Sequence, residues 1–162
     1  MDITVKKQDG FTLIELVMVI VIISLLGIIP FFSWQGAPLG VYAQAEQVAG
    51  DIRYAQSLAM TKGQRYSWVK TAANAYQIQN STGTALMLSE GNTTVTFHTG
   101  ITFGALTNLP NNLVNFDGRG TPYSTSSSPG TALSANATIA ITEDGTTATI
   151  TIAAGTGGVT LQ

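Results

Sequence analysis

Gly10-Phe11-Thr12-Leu13-Ile14-Glu15-Leu16 opens the stretch on which the reading of this chain turns. From Phe11 to Phe32 the only charged residue is Glu15, and nearly every other position is Leu, Ile, Val, Met or Phe. A run of that length suffices to cross a bilayer as one helix, which takes about 20 apolar residues at ~1.5 Å each. A single spanning segment must satisfy its backbone internally, so it has to be a helix. Leu13, Ile14, Leu16, Val17, Val19, Ile20, Ile23 and Leu26 are the expected anchor side chains. Glu15 is the anomaly. A charge at the centre of a membrane helix costs roughly 2.5–3.5 kcal/mol, and less near an end. One turn into the run, it either snorkels to the headgroups or, the preferred reading, has a positive partner at the same depth on a neighbouring subunit.

Before the run, Lys6 and Lys7 stand against Asp2 and Asp9. Two lysines ahead of an apolar helix favour keeping that end in the cytoplasm. An ordinary secretory signal is opposed by the length of the run, by Glu15, and by the lack of a small-x-small cleavage site.

The pattern of a short charged leader ending in Gly10, then Phe11, then Glu15, then an unbroken apolar helix resembles the N-terminal signature of type IV prepilins and pseudopilins. The resemblance implies cleavage between Gly10 and Phe11 by prepilin peptidase, and methylation of the new amine to give N-methylphenylalanine at Phe11. It implies that Glu15 pairs with the N-terminal amine of an adjacent subunit during assembly. Two opposite charges at the membrane edge each lower the other's desolvation cost, and their pairing sets the axial register of subunits.

The 162 residues hold one ordinary domain plus this tail. With 10% charged residues and a net charge of -2, the chain lacks the charge-rich, apolar-poor profile of disorder. Gly, Thr, Ala and Ser abound instead, as in a β-rich extracytoplasmic domain. There is no cysteine, so neither a disulfide framework nor a thiolate metal site is possible. The C-terminal region must therefore be held by packing alone.

Gly27 and Pro30 are weak points of the first helix, and Pro30 should kink or end it. Residues 33–40 are too rich in Gly and Pro for continuous helix. A helical period returns over 41–62. Val41, Ala45, Val48, Ile52, Ala55 and Ala59 share one face, while Gln44, Gln47, Asp51, Tyr54 and Lys62 fall largely elsewhere. Gly63 is a plausible stop. The segment from Ala45 to Ala59, with its Ile52-Arg53 pair and Ala55-Gln56-Ser57, is similar to the corresponding helix of GspH/FimT-type minor pilins.

Beyond Gly63 the chain reads as strands: 65–70 and 75–79 around a hairpin at 71–74, then 93–97, continued by Ile101 and Phe103, then 113–116. The clearest hairpin is 138–142 and 147–153 around Glu143-Asp144-Gly145-Thr146, since Asp-Gly is a strong turn signal. There Ala148, Ile150 and Ile152 face one way and Thr147, Thr149 and Thr151 the other, which predicts a sheet with one buried and one wet face. Residues 124–130 form a Ser/Pro/Gly loop, expected to be exposed and mobile. Phe116-Asp117-Gly118-Arg119-Gly120 resembles the Phe-Asp-x-x-Gly turn of the same minor pilins. The expected fold is α+β and pilin-like: a long N-terminal membrane helix, kinked or broken near Pro30–Pro38, then an amphipathic helix packed on an antiparallel β-sheet head. The expected organisation is a leader over 1–10, an assembly helix over 11–32, a break over 33–40, and a head over 41–162 with its β-rich part at 64–162.

No constellation for catalysis, metal or cofactor emerges. His98 is the only histidine, which excludes a His-rich metal site. Glu143 and Asp144 read as a solvated hairpin tip, too few ligands for calcium. Asp117 with Arg119 reads as a local turn pair. The glycines at 155, 157 and 158 lack the Lys-Ser/Thr of a phosphate loop. Some FimT-like minor pilins bind DNA through a basic C-terminal patch. After Gly10 this chain has five Lys/Arg (Arg53, Lys62, Arg65, Lys70, Arg119) against seven Asp/Glu, and no Lys or Arg follows Arg119. That argues against nucleic acid, which needs several phosphate contacts.

The resemblance therefore implies a structural subunit of a type IV pilus or a type II secretion pseudopilus, minor and near the tip. Its implied partners are other pilin or pseudopilin subunits, prepilin peptidase, the inner-membrane assembly platform and membrane lipid. Its implied place is the bacterial inner membrane, head periplasmic, and then the filament. The alternative is a filament-tip adhesin or DNA-uptake receptor whose head binds a ligand.

Overall fold

The computed structural model describes residues 11–32, 39–88, 91–126 and 130–162. The chain forms two compact units, Met1–Ala37 and Pro38–Gln162.

In the first unit, α1 runs Leu13–Phe32. Thr12 caps it, its carbonyl accepting the N–H groups of Glu15 at 3.1 Å and Leu16 at 3.2 Å. The helix continues past Pro30 for two residues, since proline deletes one hydrogen bond without forbidding the turn that follows. Among the described residues no helix is long and apolar enough to cross a membrane. Of the expected break over 33–40, residues 33–38 lie outside the described residues. Leu39 and Gly40 belong to the next helix.

That helix, α2, spans Leu39–Lys62 and begins two residues earlier than its periodicity suggests. Gly40 sits in the first turn, close to the tip of a hairpin: a Cβ there would lie 3.3 Å from Glu143 Oε2 and 3.5 Å from Ile101 Cδ1. The helix stops as expected, with Gly63 in the left-handed region at φ 62°. The predicted stripe is fully buried from Val41 to Ala59, and Ala49 joins it. Gln44, placed off that face by the spacing, is also buried and donates from Nε2 to Gln47 Oε1 at 2.9 Å.

The head contains two antiparallel sheets where the alternation suggested one. The first has strand order β3-β2-β1-β5-β6 and comprises β1 Tyr66–Ala72, β2 Ala75–Asn80, β3 Val95–Thr96, β5 Leu113–Phe116 and β6 Pro122–Tyr123. The second has order β4-β7-β8-β9, from β4 Thr102–Thr107, β7 Ala137–Glu143, β8 Thr146–Ile152 and β9 Val159–Leu161. The short strands β6 and β9 carry no run long enough to be read as strands in advance. The expected strand over 93–97 shrinks to Val95–Thr96, although Phe97 is buried as its alternation required. The β1–β2 turn tightens to Ala73-Asn74, with a bulge between Lys70 and Ala72. Asp144 and Gly145 both take positive φ, 45° and 83°, as a two-residue hairpin turn twisted like its strands demands.

Helix α2 lies against β1 and β5 of the first sheet and β7, β8 and β9 of the second. Its stripe shares one core with Trp68, Ile78, Val114 and Phe116 of the first sheet and Ile139, Ile141, Ala148, Ile150 and Ile152 of the second. Trp68, Tyr76, Phe97 and Phe103 form an aromatic cluster, with Phe97 and Phe103 ring centres 4.4 Å apart and Trp68 and Tyr76 5.5 Å apart. The Tyr76 hydroxyl donates to Asp51 Oδ2 on α2 at 2.5 Å.

Burial raises the Asp51 carboxyl above its ordinary range, and the Tyr76 bond offsets only part of that. A carboxyl whose pKa is raised by folding binds its proton more tightly in the folded state, so it penalises stability as pH rises through that pKa. Asp51→Asn keeps an acceptor for Tyr76 and removes the penalty. We expect the variant to melt at or above the temperature of the native protein near about pH 7, the gap closing toward about pH 4. Thermal unfolding across that range checks it; a variant less stable at neutral pH and equally so in acid refutes it.

Candidate functional site: the N-terminal motif and the ties to helix α2

The N-terminal motif occupies the first turn of α1. Gly10 lies outside the described residues. Phe11 is 85% exposed, and Leu13, Ile14, Leu16, Val17, Val19, Ile20 and Ile23 are exposed as well. Leu26 is helical, at a point on α1 beyond the described side chains. Glu15 is exposed in the first turn, where the free N–H groups of a helix favour an anion. Among the described residues the one ion pair is Arg53–Glu46, at 3.0 Å. Among the described side chains of α1, those of 13–24, every one is exposed, apolar ones on all sides of the helix.

In the head, motifs far apart in sequence meet on one side of α2. Gln56 Nε2 donates to the Gly120 carbonyl at 3.0 Å and to the Thr156 carbonyl at 2.9 Å. One side chain thereby ties the turn after β5 and the turn before β9 to the helix. Arg53 adds a second tie, donating from Nη2 to the Val159 carbonyl at 3.1 Å while Nη1 holds Glu46. The fit is tight. At Gly157, φ is 69° and a Cβ would lie 2.6 Å from both Gln56 Nε2 and the Gly120 carbonyl oxygen.

The turn after β5 is organised by Asp117. Its Oδ1 accepts the N–H groups of Arg119 at 2.9 Å and Thr121 at 3.0 Å, and Oδ2 accepts the Tyr123 hydroxyl at 3.2 Å. Partial burial pushes its carboxyl up, but those bonds and the nearby Arg119 charge outweigh it and hold the group below its usual range. The expected Asp117–Arg119 pair is thus made mainly through the backbone of Arg119. Glu143, expected in solvent at a hairpin tip, is half-buried beside Gly40 and Gly100, whereas Asp144 is exposed. Ser124, expected in an exposed loop, is buried, and its carbonyl accepts Asn111 Nδ2 at 3.0 Å. Residues 127–129 of that loop lie outside the described residues.

Arg65 and Lys70 do not gather with each other. The Arg65 guanidinium lies 4.3 Å from the Tyr123 ring centre and the Lys70 ammonium 5.4 Å from that of Phe103. Five strand residues, about 16 Å, separate the two along β1. Among the described residues no group of acidic, His or Cys side chains could hold a metal ion.

Two family models match the chain. The prokaryotic N-terminal methylation motif covers residues 5–29, and the type II transport protein GspH covers residues 44–158. The second match spans most of the chain, which belongs to the GspH family. No curated protein matches it. The head fold is shared with the minor pseudopilin EpsH from the type 2 secretion system of Vibrio cholerae, at 11% identity and a TM-score of 0.57 over 76% of this chain and 96% of that one. It is shared too with the type IV minor pilin FimU of Pseudomonas aeruginosa, at 17% identity and a TM-score of 0.52 over 75% of this chain and 87% of that one. Family and fold are those of structural pilin and pseudopilin subunits, not of enzymes.

Gln56→Ala should lower unfolding stability by roughly 1–3 kcal/mol, because two carbonyls lose their donor. Gly157→Ala should cost more, because it adds a collision to a strained φ. Ser57→Ala, one residue along on the exposed face, should stay within about 0.5 kcal/mol. Urea unfolding of the three variants decides: equal midpoints for Gln56→Ala and Ser57→Ala would mean that Gln56 ties nothing.

Proposed function

We propose that the chain is a minor subunit of a type IV pilus or type II secretion pseudopilus, cut after Gly10, methylated at Phe11 and assembled through α1. One observation carries this reading: a methylation motif over 5–29 and a GspH domain over 44–158 lie on the same chain.

Several features support the finer steps. The apolar run from Phe11 to Phe32 holds about the 20 residues that a bilayer core takes. Its apolar residues point in every direction, which suits lipid before assembly and neighbouring helices after it. Lys6 and Lys7 keep the leader on the cytoplasmic side, within reach of a peptidase in the inner membrane, and the head faces the periplasm. Cleavage frees an amine at Phe11, one turn from Glu15. An incoming subunit's amine can then meet the Glu15 carboxylate of its neighbour in apolar surroundings, where an unpaired charge is heavily penalised and register is set by the pair. Extraction by an assembly platform exchanges lipid contacts for helix–helix contacts. The head contributes the outer surface and its contacts with other subunits.

Intact mass of the protein from its native membrane should correspond to a chain beginning at Phe11 with one added methyl group. A mass beginning at Met1 would remove the processing step from the reading. Glu15→Gln should leave cleavage and methylation unchanged and abolish recovery of the subunit in sheared filaments. Normal incorporation of that variant would show that the carboxylate does not direct assembly.

A further inference from the structure

The outward face of the first sheet carries a cleft that the filament reading leaves unused. Its floor is a row across three strands. Ser67 on β1 lies opposite Gln79 on β2 and Asn115 on β5, so the three side chains project to the same face. Its walls come from the turn after β2, residues Asn80, Ser81, Thr82 and Gly83, and from Ser126. The cleft encloses about 260 Å³.

The lining is chemically uniform. Except for Gly83, every lining side chain is a neutral hydroxyl or carboxamide; none is charged, aromatic or aliphatic. Two floor residues are buried polar groups, Asn115 at 1% exposure and Ser67 at 5%. Asn115 Nδ2 is engaged with the Thr125 carbonyl at 3.1 Å, which leaves Oδ1 as an acceptor, and that buried oxygen has no partner among the described residues. A wall is rigidified by Asn80, whose Oδ1 accepts the N–H groups of Thr82 at 3.0 Å and Thr84 at 2.9 Å.

These properties exclude most ligand classes. A cation would find no carboxylate. An anion would find no basic side chain among the described lining residues. An apolar molecule would strand the floor's polar groups without partners, at a substantial penalty. An extended peptide needs a free strand edge. None is offered at the floor: β1 and β5 are paired on both sides, and the Gln79 edge of β2 is bridged by Ala85. What matches is a small neutral molecule bearing several groups that donate and accept at once. We propose that this cleft binds one ring of a neutral saccharide, its hydroxyls donating toward the Gln79 side-chain carbonyl oxygen, whose Nε2 is turned to Gln77 Oε1 at 3.3 Å, and exchanging bonds with the Ser67 and Ser81 hydroxyls. The volume falls just below the ~300–1,000 Å³ usual for clefts that hold larger ligands, which fits a single ring at the end of a glycan. The site is independent of how the subunit is processed or assembled.

The test uses the ¹⁵N-labelled full chain in dodecylphosphocholine micelles, a detergent without sugar, titrated with galactose, glucose and N-acetylglucosamine. At least one sugar should give saturable amide shifts confined to residues around Ser67, Asn80, Thr82 and Asn115. Its midpoint should weaken about tenfold in Ser67→Val and in Gln79→Ala, the loss expected for one buried hydrogen bond. Gln79 is the half-buried member of the floor, so its variant carries the test if Ser67→Val does not fold. The proposal is overturned if no sugar shifts these amides, or if the shifts persist unweakened in the folded variants. It is equally overturned if inorganic phosphate or a blocked trialanine peptide saturates the cleft where the sugars do not.

Discussion

The buried side of α2 has to serve two sheets at once, and it can because it is built from small and β-branched residues. Ala45, Ala49, Ala55 and Ala59, with Val41, Val48 and Ile52, are all fully buried between the inner faces of the sheets. Side chains this short let strands approach the helix closely from both flanks, and interiors tolerate little spare volume. A larger residue on this stripe would hold one sheet off the helix and expose the isoleucines of β7 and β8 or the aromatics of β1 and β2. The close approach carries into the loops. A Cβ at Gly118 would sit 3.2 Å from Gly63 Cα, so the end of α2 and the turn after β5 touch backbone to backbone.

Close packing alone leaves carbonyls near the helix that need donors, and here α2 supplies them. Gln56 serves Gly120 and Thr156, and Arg53 serves Val159. Each bond contributes only about 1 kcal/mol net, but a buried carbonyl left unpaired costs more than that. The expectation that packing alone holds the C-terminal region is therefore too narrow. In a chain without cysteine, side-chain-to-carbonyl ties join distant turns to one helix. Two of the motifs that carry the likeness, Ala55-Gln56-Ser57 and the Phe-Asp-x-x-Gly turn, meet in the fold through the Gln56–Gly120 bond.

Periodicity made α2 and the β7–β8 hairpin legible, because each buries one face and shows the other to water. It misplaced Gln44, which is buried because it has Gln47 as a polar partner, and polarity alone does not report partners. The division into two sheets was invisible for a related reason. Alternation tells which face of a strand is buried, not which other strand lies beside it, and β6 and β9 are too short to alternate at all. The polar row Gln79, Ser67 and Asn115 was hidden most completely. Its members lie on three strands, and only the register of β1 with β2 and β5 brings them together.

The N-terminal motif was legible for the opposite reason: its meaning lies in chemistry outside the chain, so no fold is needed to read it. A helix whose apolar residues point all round has no face that its own chain could bury against a single layer. Such a helix demands an apolar environment from elsewhere, lipid or other helices. Apolar contacts are non-directional, however, and would allow subunits to slide along one another. One charge in the run removes that freedom, because a carboxylate in apolar surroundings tolerates few axial positions relative to its partner. On the proposed assembly, Glu15 would supply the register that Leu, Ile and Val cannot. The head, which has an apolar core of its own, is left free to vary its outer surface, and it is on that surface that the polar cleft lies.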